Sequence, residues 1–228
     1  MPVPLDATTE RALIDWIEAR TRAGEAAHAR GYQGAVHLYE CDHRRLIVKV
    51  ATGGGLRGWV RRWMLRREYE TYLRLEGFAG SPVCHGLIRG RYLVLDYVDA
   101  VPLRRERISD PRLFFDTLLA YIKELHRRGV AHADLKRRDN LLVIDSRLPC
   151  LIDFGAAVVL KPGFAPINHY LYWLAQRFDF NAWAKLKYDG RMEQMTAEDR
   201  LYYHFTTVER IARTIKRSYL KLKRRIAG

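Results

Sequence analysis

Cysteine is scarce in this chain. Cys41, Cys84 and Cys150 are isolated and odd in number, which excludes a disulfide framework and a thiolate metal cluster and leaves buried structural thiols as the expectation. Long apolar runs are missing as well: no segment approaches the ~18 apolar residues of a membrane-spanning helix. The amino terminus carries Asp6 and Glu10 in place of an uninterrupted apolar leader core. A cytoplasmic location is therefore expected. Acidic residues are outnumbered, with 26 Asp plus Glu against 40 Lys plus Arg, a formal net charge of +14. Such a field attracts polyanions and anionic membrane surfaces. No nucleic-acid-binding signature accompanies it, and the basic residues gather in two predicted helices, 56–67 and about 210–225, so the pattern does not point to nucleic acid as the partner.

Against these absences stands one dense stretch, His132-Ala133-Asp134-Leu135-Lys136-Arg137-Arg138-Asp139-Asn140-Leu141-Leu142-Val143, followed by Leu151-Ile152-Asp153-Phe154-Gly155. Phosphoryl transfer from a nucleotide needs a carboxylate to orient and deprotonate the attacking hydroxyl, and separate oxygen ligands to hold Mg²⁺ on the phosphates. Two short loops here offer both. They resemble the protein-kinase-like superfamily, whose H-x-D-x-x-x-x-N loop and D-F-G triplet lie about twenty residues apart. The resemblance implies ATP and Mg²⁺ as cofactors, Asp134 as catalytic base, Lys136 as a neutraliser of charge on the transferring group, and Asp153 as a metal ligand. His132 is read as bracing the loop. The second metal ligand is open between two neighbours: counting five residues from Asp134 gives Asp139, while counting back from Leu141-Leu142 and Asp153 gives Asn140. The loop count puts Asp139 ahead.

The upstream half of such a site is present with departures. Leu46-Ile47-Val48-Lys49-Val50-Ala51 is an apolar run broken by one lysine, which predicts a central strand presenting Lys49 to nucleotide phosphates. Gly31-Tyr32-Gln33-Gly34-Ala35-Val36 matches the second half of a glycine-rich phosphate loop, with Ala29 at the first glycine position; the candidate contacts are Gly31, Gly34 and Val36. Two glycines so spaced also make an ordinary hairpin turn. Gly53-Gly54-Gly55 follows the lysine strand and reads as a flexible connection into a helix over 56–75. In that helix Glu68 is the preferred ion-pair partner of Lys49, because Tyr72 and Leu75 continue an apolar stripe from it; Glu70 is the alternative. Trp59 and Trp63, four apart, are either core residues or an interfacial anchor. Arg91 to Val98 reads as a buried strand entering a connector, and the resemblance implies that Leu95 lines the adenine pocket while the backbone of Asp96, Tyr97 and Val98 bonds the base.

Further along, Ser109-Asp110-Pro111 caps a helix running through Phe114, Leu118, Tyr121 and Leu125 to Gly129. Only 75 residues follow Asp153, no A-P-E occurs, and Ala133 replaces the arginine that would pair with a phosphorylated activation loop. His169 to Trp183 is dense in aromatics, as a small helical core or a sugar-stacking surface would be. Thr196-Ala197-Glu198-Asp199 predicts the start of a last helix through Tyr202, Tyr203, Phe205 and Val208, and residues 210–225 predict a basic amphipathic helix that packs on the lower lobe or docks on the inner leaflet.

The expected fold is α+β, a two-lobed protein-kinase-like fold with a small, mostly β N-terminal lobe at 1–97, including an N-terminal helical extension, and a truncated helical C-terminal lobe at 98–228. Over roughly residues 25–160 the chain resembles the small bacterial kinases of lipopolysaccharide inner-core heptose and Kdo sugars. That resemblance implies a sugar hydroxyl of an anionic glycolipid as acceptor, met at the cytoplasmic face of the inner membrane, with peripheral membrane contact. A compact atypical serine/threonine protein kinase is the alternative. The incomplete glycine loop and shifted metal-ligand position motivate a pseudokinase scaffold as a third reading.

Overall fold

The computed structural model describes residues 4–23, 29–31, 34–41 and 44–204. Tyr32 and Gln33 of the glycine loop, Phe205 and Val208, and the basic stretch 210–225 lie outside the described residues. The chain opens with helix α1 (Ala7–Ala23), then β1 (Ala29–Gly31), β2 (Gly34–Cys41), β3 (Arg44–Val50), α2 (Gly55–Arg74), β4 (Cys84–Ile88) and β5 (Tyr92–Asp96). The five strands form one antiparallel sheet in the order β1-β2-β3-β5-β4, which puts the lysine strand β3 at its centre.

Strand periodicity decides what each sheet face does. Leu46, Val48 and Val50 of β3, with Tyr92 and Val94 of β5, pack under Leu13 and Ile17 of α1. The intervening residues point the other way, so Leu93 and Leu95 join the main core with Leu65 and Tyr72 of α2, and Lys49 falls on that same opposite face. A single polar residue in an apolar strand is thereby aimed away from α1 and toward the second lobe.

That lobe comprises β6 (Val101–Pro102), α3 (Pro111–Arg127), β7 (Val130–Ala131), β8 (Leu141–Ile144), β9 (Leu148–Leu151), β10 (Val158–Val159), α4 (Pro166–Lys187) and the short α5 (Ala197–Arg200). Asp110 caps α3 by accepting from the Leu113 N–H at 3.0 Å, with Pro111 in the first turn, where its missing N–H costs nothing. Phe114, Leu118, Ile122 and Leu125 make α3 the spine of the lobe, each fully buried and contributing roughly 1.5–3 kcal/mol. Trp183 of α4 crosses onto it, donating from its indole Nε1 to the Phe115 carbonyl at 2.8 Å. The extended helix expected from Thr196 is shorter: Thr196 does cap it, accepting from Asp199 N at 3.2 Å, but the α-helix ends at Arg200. Asp199 is held sideways by Tyr188 Oη and by Lys187 Nζ at 2.7 Å, and Tyr202 and Tyr203 lie beyond the helix, packed against the core.

The glycine-loop residues form a hairpin in which Gly31 pairs with Gly34 and Val36 pairs with Lys49. Gly34 has φ +141°, and a Cβ there would overlap the Val50 carbonyl oxygen. Glycine is required at this position by backbone approach, whatever else the loop does. Gly34→Ala is expected to destabilise the sheet by about 2 kcal/mol, read as a lower urea midpoint with unchanged slope; an unchanged midpoint would rule out this close approach.

Candidate active site

Lys49 is the centre of the charged cluster between the two lobes. Its Nζ lies 2.6 Å from Glu68 Oε1 and 3.0 Å from Asp153 Oδ1, so one cation joins β3, α2 and the loop after β9. Of the two glutamates weighed for this contact, Glu68 is fully buried on the inner side of α2, whereas Glu70 is exposed and 3.6 Å from Arg66. The triple-glycine connection that feeds α2 is tied down by Arg61 Nη1, which donates to Thr52 O at 3.0 Å and to Thr52 Oγ1 at 2.9 Å.

Burial works against the charge on Lys49, but attraction to Glu68 and then Asp153 outweighs it and raises the ammonium above its ordinary value. Asp153 shows the mirror effect: burial opposes its ionisation, and Lys49 still holds the carboxyl below its ordinary range. Full burial pushes Glu68 upward despite Lys49. By linkage, the Asp153 contribution to stability is present above its ordinary value and lost as pH falls through the lowered one. The Lys49 contribution is complete below its ordinary value and lost as pH rises through the raised one.

Asp134 sits on the loop between β7 and β8. Asn140 is buried beside it, its Nδ2 donating to Asp134 O at 3.1 Å and Asp134 Oδ2 at 3.2 Å. Asp139 is turned away: its Oδ1 accepts from Arg104 Nε at 2.8 Å on the exposed side. Of the two candidates, Asn140 is the side chain that faces Asp134, while Asp139 faces Arg104. A 3₁₀ turn spans Arg138–Asn140 and sets the two side chains on different sides of the loop. Arg137 Nη1 lies 3.8 Å from Asp134 Oδ2, and Lys136 is exposed next to it.

His132 is fully buried against Phe154, ring centroids 4.8 Å apart. Its Nε2 lies 3.0 Å from the Ile152 carbonyl, which only accepts, and its Nδ1 receives the Asp134 N–H at 3.4 Å; this fixes the proton on Nε2. It braces one loop against the other. The sequence reading missed the residue that does most of this bracing. Asp179, in the middle of α4 and fully buried, accepts the His132 N–H on Oδ2 and the Ala133 N–H on Oδ1, both at 2.8 Å, and lies 3.0 Å from His126 Nε2. Ala133 has φ +67° and Asp153 has φ +64°, conformations that non-glycine residues keep only when their surroundings impose them.

At the connector, Leu95 is buried and Asp96, Tyr97 and Val98 are half-buried. The Asp96 N–H donates to Val83 O at 2.9 Å and the Tyr97 N–H to Arg45 O at 3.0 Å; the Asp96 carboxylate sits 2.6 Å from His85 Nε2. Between Val159 and α4 only residues 160–165 intervene, where a protein kinase carries its activation segment, and Asn168 pins this link to Lys161 N at 2.8 Å and Val159 O at 3.0 Å. Burial pushes the Cys84 thiol up to about 11 and Cys150 up to about 12, so neither is a nucleophile near neutrality.

The oxygens of Asp153 and Asn140 suit Mg²⁺, which takes one or two protein ligands and completes its shell with phosphates and water. No cluster of three or more His, Cys, Asp or Glu groups that could hold a metal occurs among the described residues.

No protein-family model matches the chain. It is 28% identical over 148 residues to the RIO-type serine/threonine-protein kinase Rio1 of Haloferax volcanii, covering 62% of this chain and 46% of that protein. It is 37% identical over 68 residues to serine/threonine-protein kinase D of a Synechocystis species, covering 28% of this chain and 14% of that one. The crystal structure of the Rio2 kinase from Chaetomium thermophilum superposes with a TM-score of 0.57 at 15% identity, covering 85% of this chain and 68% of that one. The fold is protein-kinase-like. The chain spans less than half the length of these curated relatives.

The role of Asp179 is testable by stability. Asp179→Ala leaves two buried N–H donors without acceptors and is expected to cost about 3–5 kcal/mol, whereas Asp179→Asn, which keeps one acceptor oxygen, is expected to cost less. Equal urea midpoints for Asp179→Ala and the native chain would contradict this placement.

Proposed function

We propose that the chain is an ATP- and Mg²⁺-dependent phosphotransferase of the atypical serine/threonine kinase type, with a protein hydroxyl as acceptor. The observation that carries the reading is the joining of Lys49, Glu68 and Asp153 in one cluster, with Asp134 and Asn140 on the neighbouring loop. The RIO-type and serine/threonine kinase names of the relatives support this acceptor class, as does Lys136 two residues after Asp134. The glycolipid sugar expected from the resemblance is the second reading. What favours it is the stacked pair Tyr170 and Trp173, centroids 5.8 Å apart and about half exposed, a surface suited to a sugar ring.

Mg-ATP, when bound, supplies the electrophilic γ-phosphorus and a divalent charge that offsets the carboxylates. The chain's own groups then divide the work. Lys49, positioned by Glu68, would hold phosphate oxygens, and Asp153 and Asn140 would hold the metal. Val98 N–H is assigned to the base, since its neighbours' N–H groups are engaged by protein carbonyls. Asp134 orients the acceptor O–H and takes its proton as that oxygen bonds to the γ-phosphorus and the bond from phosphorus to the bridging oxygen breaks, releasing ADP, while Lys136 and Arg137 counter charge on the transferred group.

Asp134→Ala is expected to lower transfer by at least ~10²-fold while leaving nucleotide binding largely intact, and Asp153→Ala to weaken Mg-ATP binding itself. Asn140→Ala should impair transfer and Asp139→Ala should not. These follow from transfer of label from γ-labelled ATP, with generic protein and dephosphorylated core glycolipid offered separately. Label entering protein alone supports the first reading and glycolipid alone the second; native transfer by Asp134→Ala contradicts the mechanism.

A further inference from the structure

We propose that the outward face of α2 is a docking surface for an anionic lipid bilayer. The inference stands apart from the phosphotransfer reading. The helix is apolar on two sides. Inward, Leu65 and Tyr72 are buried in the core. Outward, Leu56, Trp59, Val60 and Trp63 follow the i, i+3, i+4, i+7 spacing of a single helical face, yet they are 76%, 58%, 38% and 48% exposed. Tryptophan contributes a large apolar area with one polar tip, so a pair left in water on adjacent turns marks a surface suited to a boundary between water and an apolar phase.

Cations flank this stripe. Arg57, Arg62, Arg66 and Arg67 lie exposed on the same helix, whose acids are the buried Glu68 and the exposed Glu70, 3.6 Å from Arg66. Arg67 lies over the Trp63 ring, 5.0 Å from its centroid, and so keeps its charge beside the aromatic. Trp59, Trp63, Arg62 and Arg66, with Tyr69 and Leu87, line an open cleft of about 530 Å³. Apolar groups thus alternate with phosphate-binding guanidinium groups along one helix.

A bilayer surface matches both chemistries at once. Headgroup phosphates meet the arginines, and the acyl boundary receives Leu56, Trp59 and Trp63, the depth at which tryptophan is favoured and long cationic side chains reach back to the headgroups. A second copy of the same face would set four arginines against four. Nucleic acid offers phosphates but no apolar layer for Leu56 and Val60. The net charge of +14 adds attraction toward an anionic leaflet.

The test is vesicle co-sedimentation of the full chain, with phosphatidylglycerol–phosphatidylcholine vesicles against phosphatidylcholine alone. The native chain is expected to bind the anionic vesicles preferentially. The double variant Trp59→Ser, Trp63→Ser should lose about tenfold or more in partitioning, and Arg62→Glu, Arg66→Glu should lose the preference for anionic lipid, both with the native melting temperature. Failure of the native chain to bind the anionic vesicles, or native partitioning by the tryptophan double variant, overturns the proposal. Trp59→Phe and Trp63→Phe, which preserve the apolar face, give a second readout: each should remove part of the fluorescence quenching caused by lipids brominated along the acyl chain. Unchanged quenching in both would also overturn it.

Discussion

A half-buried cation held between a fully buried carboxylate and a partly exposed one is the constraint on which the rest of this protein depends. Lys49 reaches Glu68 at 2.6 Å and Asp153 at 3.0 Å, joining the central strand of the sheet, the helix that covers it and the loop from the other lobe. Removing charges from water costs several kcal/mol per ion, and the cost is met only when geometry and partners are both good. Displacing Lys49 would leave the fully buried Glu68 without its partner. Asp134 lies on the neighbouring loop, with Arg137 Nη1 3.8 Å from its Oδ2.

The second constraint lies beneath the first. Asp179 accepts two consecutive backbone N–H groups from the Asp134 loop at 2.8 Å each, one of them from Ala133, whose φ is +67°. His132 then links that loop to the Asp153 loop through the Ile152 carbonyl at 3.0 Å. Strain at Ala133 and Asp153 is thus set by a buried carboxylate in α4 and a buried imidazole, both fully enclosed. The lobe achieves this with a link of residues 160–165 in place of an activation segment, so the loop geometry is built into the core.

Much of this was legible in the sequence where one period or one motif decides the outcome. Alternation in β3 is enough to send Lys49 away from Leu46, Val48 and Val50, and the helical stripe through Tyr72 and Leu75 is enough to set Glu68 inward and Glu70 outward. The two-lobed α+β fold follows from the same patterns and matches the Rio2 kinase structure. Counting along a loop was less dependable. Asp139 and Asn140 differ by one position, and a 3₁₀ turn over Arg138–Asn140 changes which of them faces Asp134. Asp179 gave no local signal at all: its partners are 46 and 47 residues away, and its neighbours in sequence are aromatic. Trp59 and Trp63 were compatible with core or surface because α2 is apolar on both sides, and only packing against β4 and the lower lobe selects which side is buried.

The most direct measurement is a crystal structure of the native chain with Mg²⁺ and a non-hydrolysable ATP analogue. The account predicts the nucleotide between the lobes, Lys49 Nζ within hydrogen-bond distance of a phosphate oxygen, and Mg²⁺ held by Asp153 and Asn140 with Asp139 still on Arg104. A nucleotide bound elsewhere, or a metal held by Asp139 while Asn140 points away, would contradict it.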